Sequence, residues 1–193
     1  DGVLNTMKHQ KALVEYGQLQ RDEYGDLFDP VCVKTLEDIL EESGADIVVS
    51  STWRFRGLDF LKQMWEARAL PGTLIDVTPI ISGNAKHDAL TLGELKNGVT
   101  VPRGVEIQWW LRNRRDYWYR NYVILDDDAD MLLNQAPKFV LTEPEHGLLP
   151  EHKELALTAL KGENIMHDFS HIAFPWYDKL DEEEKRIWFP DDK

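Results

Sequence analysis

No apolar run in the sequence is long enough to span a bilayer, so no membrane partner is expected. There is one cysteine, Cys32, which excludes an internal disulfide. It falls in a predicted helix, where it reads as a small core residue. Both absences fit a reducing, cytoplasmic setting. Positive charge is also scarce: 22 Lys and Arg stand against 35 Asp and Glu, for a net charge of −13. That excess argues against general binding of nucleic acid or of an anionic membrane. It leaves room for a local basic pocket, because Arg112, Arg114, Arg115 and Arg120 fall close together. The sequence has no internal repeat and no low-complexity segment. Hydrophobic residues make up 42% of the 193, enough to pack a core, and the length suits one domain with an appendage.

The most informative stretch is Tyr122 to Asp130, YVILDDDAD. A short apolar run, Val123 to Leu125, reads as a buried strand. It ends in Asp126, Asp127 and Asp128, with Asp130 close behind. Open α/β sheets bind ligands at the carboxyl ends of their strands. So much like charge is costly unless solvent or a cation offsets it, and Mg²⁺ accepts such a carboxylate set together with phosphate oxygens. By itself the stretch also reads as a solvated acidic turn.

Strand and helix signals alternate along the chain. Asp1 to Thr6 reads as a strand end entering a loop, and Met7 to Leu27 as a partly helical excursion that could form a lid. Tyr16, Tyr24 and Phe28 could pack that excursion down. Asp29 as N-cap and Pro30 at the first position start a helix that Ser43-Gly44 ends. Its expected apolar stripe is Val33, Leu36, Ile39 and Leu40. Asp46 to Ser50 reads as a strand ending in Ser50, Ser51, Thr52, Trp53 and Arg54, which offers donors to a phosphoryl oxygen or a cap to the next helix. A helix is predicted over 55–67 and a strand over 74–77. A loop or short hairpin fills 80–102, with His87 and Asp88 as weak contact candidates. A helix begins at Arg103-Gly104, a short one at Met131 to Asn134, a strand at Phe139 to Thr142, and another helix runs to Leu160. Beyond Gly162 the tail holds Phe169, Phe174, Trp176, Tyr177, Trp188 and Phe189, too many aromatics for free disorder. It is expected to dock on the body, or on a second copy as a homodimer. His167 and His171 have metal-compatible spacing but no third ligand. The expected class is α/β, a Rossmann-like three-layer sandwich with a mostly parallel central sheet, a small cap or lid insertion and an aromatic helical extension. A phosphatase-like domain would cover 1–162 and the extension 163–193.

DGVLNT, IVVSSTWR, PRGVEI and YVILDDDAD resemble, in that order, the four motifs of the haloacid dehalogenase superfamily of phosphotransferases. The group it most resembles contains the phosphatase-like domain of Swiss Army Knife RNA repair proteins, over Asp1 to about Leu160. The resemblance implies that Asp1 is the general acid/base and a metal ligand, and that Gly2 belongs to the same motif on the substrate side. It implies that Ser50, with Ser51 as runner-up, holds the phosphoryl group, helped by Arg54. Arg103 would be the third-motif cation, and Asp126, Asp127 and Asp130 candidate Mg²⁺ ligands. The family's nucleophile is an aspartate two positions before Asp1 and is not in the sequence. Truncation upstream of Asp1, or a modified residue left out of the sequence, is the expected reason.

The implied activity is a Mg²⁺-dependent phosphomonoesterase working through an aspartyl-phosphate. Its substrate would be a phosphorylated small molecule, a nucleotide or a nucleic-acid end carrying a 3′-phosphate. The alternative is a catalytically inactive binding or scaffolding module of the same fold.

Overall fold

The computed structural model describes residues 2–81, 101–114 and 121–165. Asp1, His87, Asp88, Arg115, Arg120, the histidine pair and the tail aromatics lie outside the described residues. Helix α1 spans Met7–Glu15 and is followed by a two-stranded antiparallel hairpin, β1 (Arg21–Asp22) and β2 (Gly25–Asp26). Helix α2 spans Pro30–Ser43, β3 Ile47–Val49, a 3₁₀ turn Thr52–Arg56, α3 Leu58–Ala67 and β4 Leu74–Val77. Then come α4 (Arg103–Asn113), β5 (Ile124–Asp126), a 3₁₀ turn (Leu133–Lys138), β6 (Phe139–Leu141) and α5 (His152–Leu160). No helix among the described residues is long and apolar enough to cross a membrane.

Local chemistry accounts for several of these bounds. Asp29 caps α2 by accepting from the Val31 amide at 2.9 Å, Pro30 opens the helix, and Gly44 closes it in the left-handed region at φ 65°. The face it buries is Cys32, Thr35, Leu36 and Ile39. Cys32 is fully buried, and that burial pushes its thiol up to about 11. The single helix expected over 55–67 is two pieces: the 3₁₀ turn, then α3, broken at Gly57 with φ 85°. The short helix expected at 131–134 is instead the 3₁₀ turn at Leu133–Lys138.

The architecture is mixed α/β with short parallel ladders. β3 pairs with β4, and β5 with β6, both in parallel. Among the described residues the two pairs do not join into one sheet. Helices cover both faces of the β5–β6 pair. Ile124 and Phe139 pack toward α4 with Ile107 and Met131, while Leu125 and Val140 pack toward α5 with Ala159 and Ile165. Period-two alternation in the strands produces this sorting. A larger cluster joins α2, α3, β4 and α5 through Ile39, Leu61, Met64, Leu74 and Leu157. Full burial of a side chain such as Phe139 contributes about 1.5–3 kcal/mol.

The excursion after Thr6 is fastened at its hairpin. Arg68 donates to both carboxylate oxygens of Asp22, at 2.9 and 2.7 Å, and to the Gly25 carbonyl at 3.0 Å. That bond holds the Asp22 carboxyl down at about 2. Tyr24 packs on Phe60 and Phe28 on Trp53, as expected of two of the three aromatics. The third, Tyr16, is exposed.

Candidate functional site

The carboxyl ends of β3 and β5 open on one cavity of about 770 Å³, which Ser50, Ser51, Arg103, Asp126 and Asp127 help to line. Ile47 to Val49 of β3 and Val123 to Leu125 of β5 also line it.

Each is placed by its element. Ser50 follows β3, and its hydroxyl accepts from Thr78 Oγ1 at 3.2 Å. The Ser50 carbonyl accepts from two guanidinium groups, those of Arg54 and Arg103. Arg103 sits at the first position of α4, so its side chain reaches the turn after β3. Its backbone amide donates to Asp130 Oδ2 at 2.9 Å, and the Gly104 amide to the Asp130 carbonyl at 3.1 Å. Asp130 thus caps α4 from the loop after β5, in a role like that of an N-cap carboxylate. Asp126 ends β5. The Asp128 amide donates to its Oδ1 at 3.2 Å, and its own carbonyl accepts from the Thr142 amide at 2.9 Å.

Gly2 joins the first motif to the last. Its φ is 67°, and an added Cβ would fall 2.1 Å from the Asp127 side chain. The Gly2 carbonyl accepts from Thr142 Oγ1 at 2.7 Å. Only a glycine allows the backbone this close to that carboxylate.

Arg54 was expected beside the phosphate, yet its guanidinium is engaged elsewhere. It is buried, ion-paired to Glu106 Oε2, and donates to the Ser50 and Ser51 carbonyls. Neither Arg54 nor Asp130 is among the residues lining the cavity. Arg54 holds the Ser50–Ser51 backbone in place, and Asp130 holds the start of α4.

Burial raises the Asp126 carboxyl to about 6, with the charges of Asp127 and Asp130 adding to the effect; the Asp128 amide and Arg103 oppose it. Burial also raises Asp130. A carboxylate desolvated beside like charge is a place where a cation is favoured.

The family described as HAD domain in Swiss Army Knife RNA repair proteins matches residues 1–152. The chain belongs to this family. No curated protein and no solved structure matches it. The match runs from the first motif past the carboxylates of the last, so Gly2, Ser50, Arg103, Asp126 and Asp127 of this HAD domain all lie inside it. Among the described residues no group of three His, Cys, Asp or Glu side chains is placed to hold a metal. Mg²⁺ does not need one: one or two carboxylates, water and substrate oxygens satisfy it. Asp126 and Asp127 are hard oxygen donors at the mouth of the cavity, so the residues present fit that ion.

Two residues of the HAD domain's site were not singled out from sequence. Glu106 is 4% exposed; it accepts from the Ile81 amide at 3.0 Å and lies 4.0 Å from Arg103. Its one sequence signal is the i, i+3 spacing from Arg103 on the inner side of α4. Thr78, buried after β4, carried no signal beyond standing at a strand end.

Proposed function

We propose that the chain is the working part of a Mg²⁺-dependent phosphomonoesterase whose substrate is a nucleotide or polynucleotide phosphate. The observation that carries this reading is the meeting of Ser50, Arg103, Asp126 and Asp127, from three separate stretches, at one cavity mouth. In this reading the Ser50 hydroxyl and Arg103 guanidinium take two phosphoryl oxygens, and Arg103 gathers the charge that develops on them. Asp126 and Asp127 would hold Mg²⁺, which supplies charge neutralisation at the phosphoryl group when bound. Asp1, adjoining Gly2, would give a proton to the leaving oxygen and then take one from water. The attack on phosphorus would belong, as the motif resemblance implies, to a carboxylate two positions before Asp1. Its aspartyl-phosphate would form as the P–O bond to the leaving group breaks, and water would then cleave it.

Phosphate release tests the reading. The chain, extended at its amino end to carry that aspartate, is assayed with Mg²⁺ on an aryl phosphate, mononucleotides and 3′- and 5′-phosphorylated oligonucleotides. Release that needs Mg²⁺, is lost in Asp126→Asn and is greatest on a nucleotide or strand end is the expected result. Preference for a small metabolite ester would overturn the substrate class. Absence of release from folded, Mg²⁺-binding protein would favour the binding-module alternative.

A further inference from the structure

A second cleft, of about 310 Å³, lies between the β1–β2 hairpin and the 3₁₀ turn Thr52–Arg56. Arg21, Tyr24, Asp26, Thr52, Trp53 and Arg56 line it. Thr52 and Trp53 also line the main cavity, so the two spaces share a wall just past Ser50. The volume is at the low end of the ~300–1,000 Å³ of small-molecule sites, room for one nucleoside and not for a longer segment.

The cleft is built firmly. Gly25 lies on the Trp53 ring, where an added Cβ would be 3.0 Å from the indole. Trp53 meets Phe28 edge-on at 5.4 Å, and the Arg68 guanidinium lies over both rings while it ties down the hairpin. Two aromatic side chains, Trp53 and Tyr24, are therefore held at fixed positions in its walls. The charge is asymmetric. Arg21 is ion-paired to Asp26. Arg56 is exposed, is stacked over the Phe60 ring at 3.9 Å, and has no carboxylate within ion-pair distance among the described residues. In a protein of net charge −13, a cation held in this way beside aromatic walls favours an anion that carries a flat ring.

We propose that this cleft seats the nucleoside adjoining the phosphate held at Ser50, with its base against Trp53 and Tyr24 and its internucleotide phosphate on Arg56. The inference rests on the phosphoester reading and narrows the substrate to a nucleic-acid strand end. One backbone phosphate contact is compatible with the chain's acidity, since binding would then depend only weakly on salt.

Calorimetric titration of the full chain with a dinucleoside monophosphate, which has no terminal phosphate, tests the cleft apart from the chemistry. Binding should weaken at least ~5-fold in Arg56→Gln and return to within about 2-fold in Arg56→Lys. The salt dependence of log K should fall by roughly 0.7 in the Gln variant, the loss of one single-strand phosphate contact. Inorganic phosphate should bind both variants as it binds the parent. A dinucleotide that does not bind, or binds the Gln variant as tightly as the parent, overturns the proposal. Binding through Arg56, with no phosphate released from any ester by the amino-extended chain, would overturn the phosphatase reading and leave the cleft standing.

Discussion

Asp126 combines burial with a place among like charges, and its titration sets a sign for stability. In the folded chain it keeps its proton up to about 6, against 3.8 for the ordinary carboxyl. Between those values the folded state holds more protons than the unfolded one, so stability falls as pH rises through that window. The contribution is complete below 3.8 and gone above 6. Its size is roughly 2 kcal/mol after allowance for partial exposure. Metal-free protein should therefore lose stability between pH 4 and pH 6.5 from this group. Asp126→Asn should flatten that loss and, under the proposed role in holding Mg²⁺, should remove any rise in Tm on adding Mg²⁺ at pH 7.5. Thermal melts at four pH values, with and without Mg²⁺, check both. Glu106 bears on stability through its ion pair. Its replacement by Gln leaves the Arg54 guanidinium buried without a counter-charge, which costs about 3–5 kcal/mol. Urea unfolding should show that loss, and the variant should also weaken phosphate binding, because the Ser50–Ser51 backbone loses its brace.

Helix α4 depends on a close approach at its first turn. An added Cβ at Gly104 would fall 2.4 Å from the Leu132 backbone nitrogen and 2.8 Å from the Met131 Cα. Gln135 stitches the same junction, donating to the Gly104 carbonyl at 2.9 Å and accepting from the Leu132 amide at 2.9 Å. Backbone cannot yield as a side-chain tip can, so Gly104→Ala should cost about 1–3 kcal/mol and displace Arg103 from the cavity mouth. Denaturation together with phosphate affinity would separate this from a simple helix-propensity effect, which would stabilise. Such junctions explain what was legible in the sequence. α2 could be read because its cap, its Pro and its closing Gly act within a few residues, and β4 because an apolar run met Thr78-Pro79. The acids after β5 could be read as a cluster at a strand end because charge density is local too. Arg54 and Asp130 could not be resolved, because their partners, Glu106 and the Arg103 amide, are distant in sequence. A guanidinium beside a serine has the same local pattern whether it meets a phosphate or a carboxylate.

For the whole molecule, α/β alternation was legible, and so was the gathering of strand ends, since parallel pairing and right-handed crossovers follow from the order of elements. The expected single central sheet stands, among the described residues, as two separate parallel ladders, and pairing between distant strands is not set by neighbouring residues. The packed body continues past Gly162: Ile165 is 4% exposed, and its amide donates to the Pro137 carbonyl at 2.9 Å. Light scattering on the full chain and on a chain ending at Ile165 addresses the expected homodimer. Twice the monomer mass for the full chain with a monomeric shorter chain would assign the tail to a second copy; equal association states would remove the tail from that role and favour docking on the body. The fastened hairpin also bears on how the protein is handled. Arg68 ties Asp22 and the Gly25 carbonyl to the end of α3. A protease cuts where backbone opens locally, so brief trypsin digestion should spare Arg21 in the parent and cut there readily in Arg68→Ala.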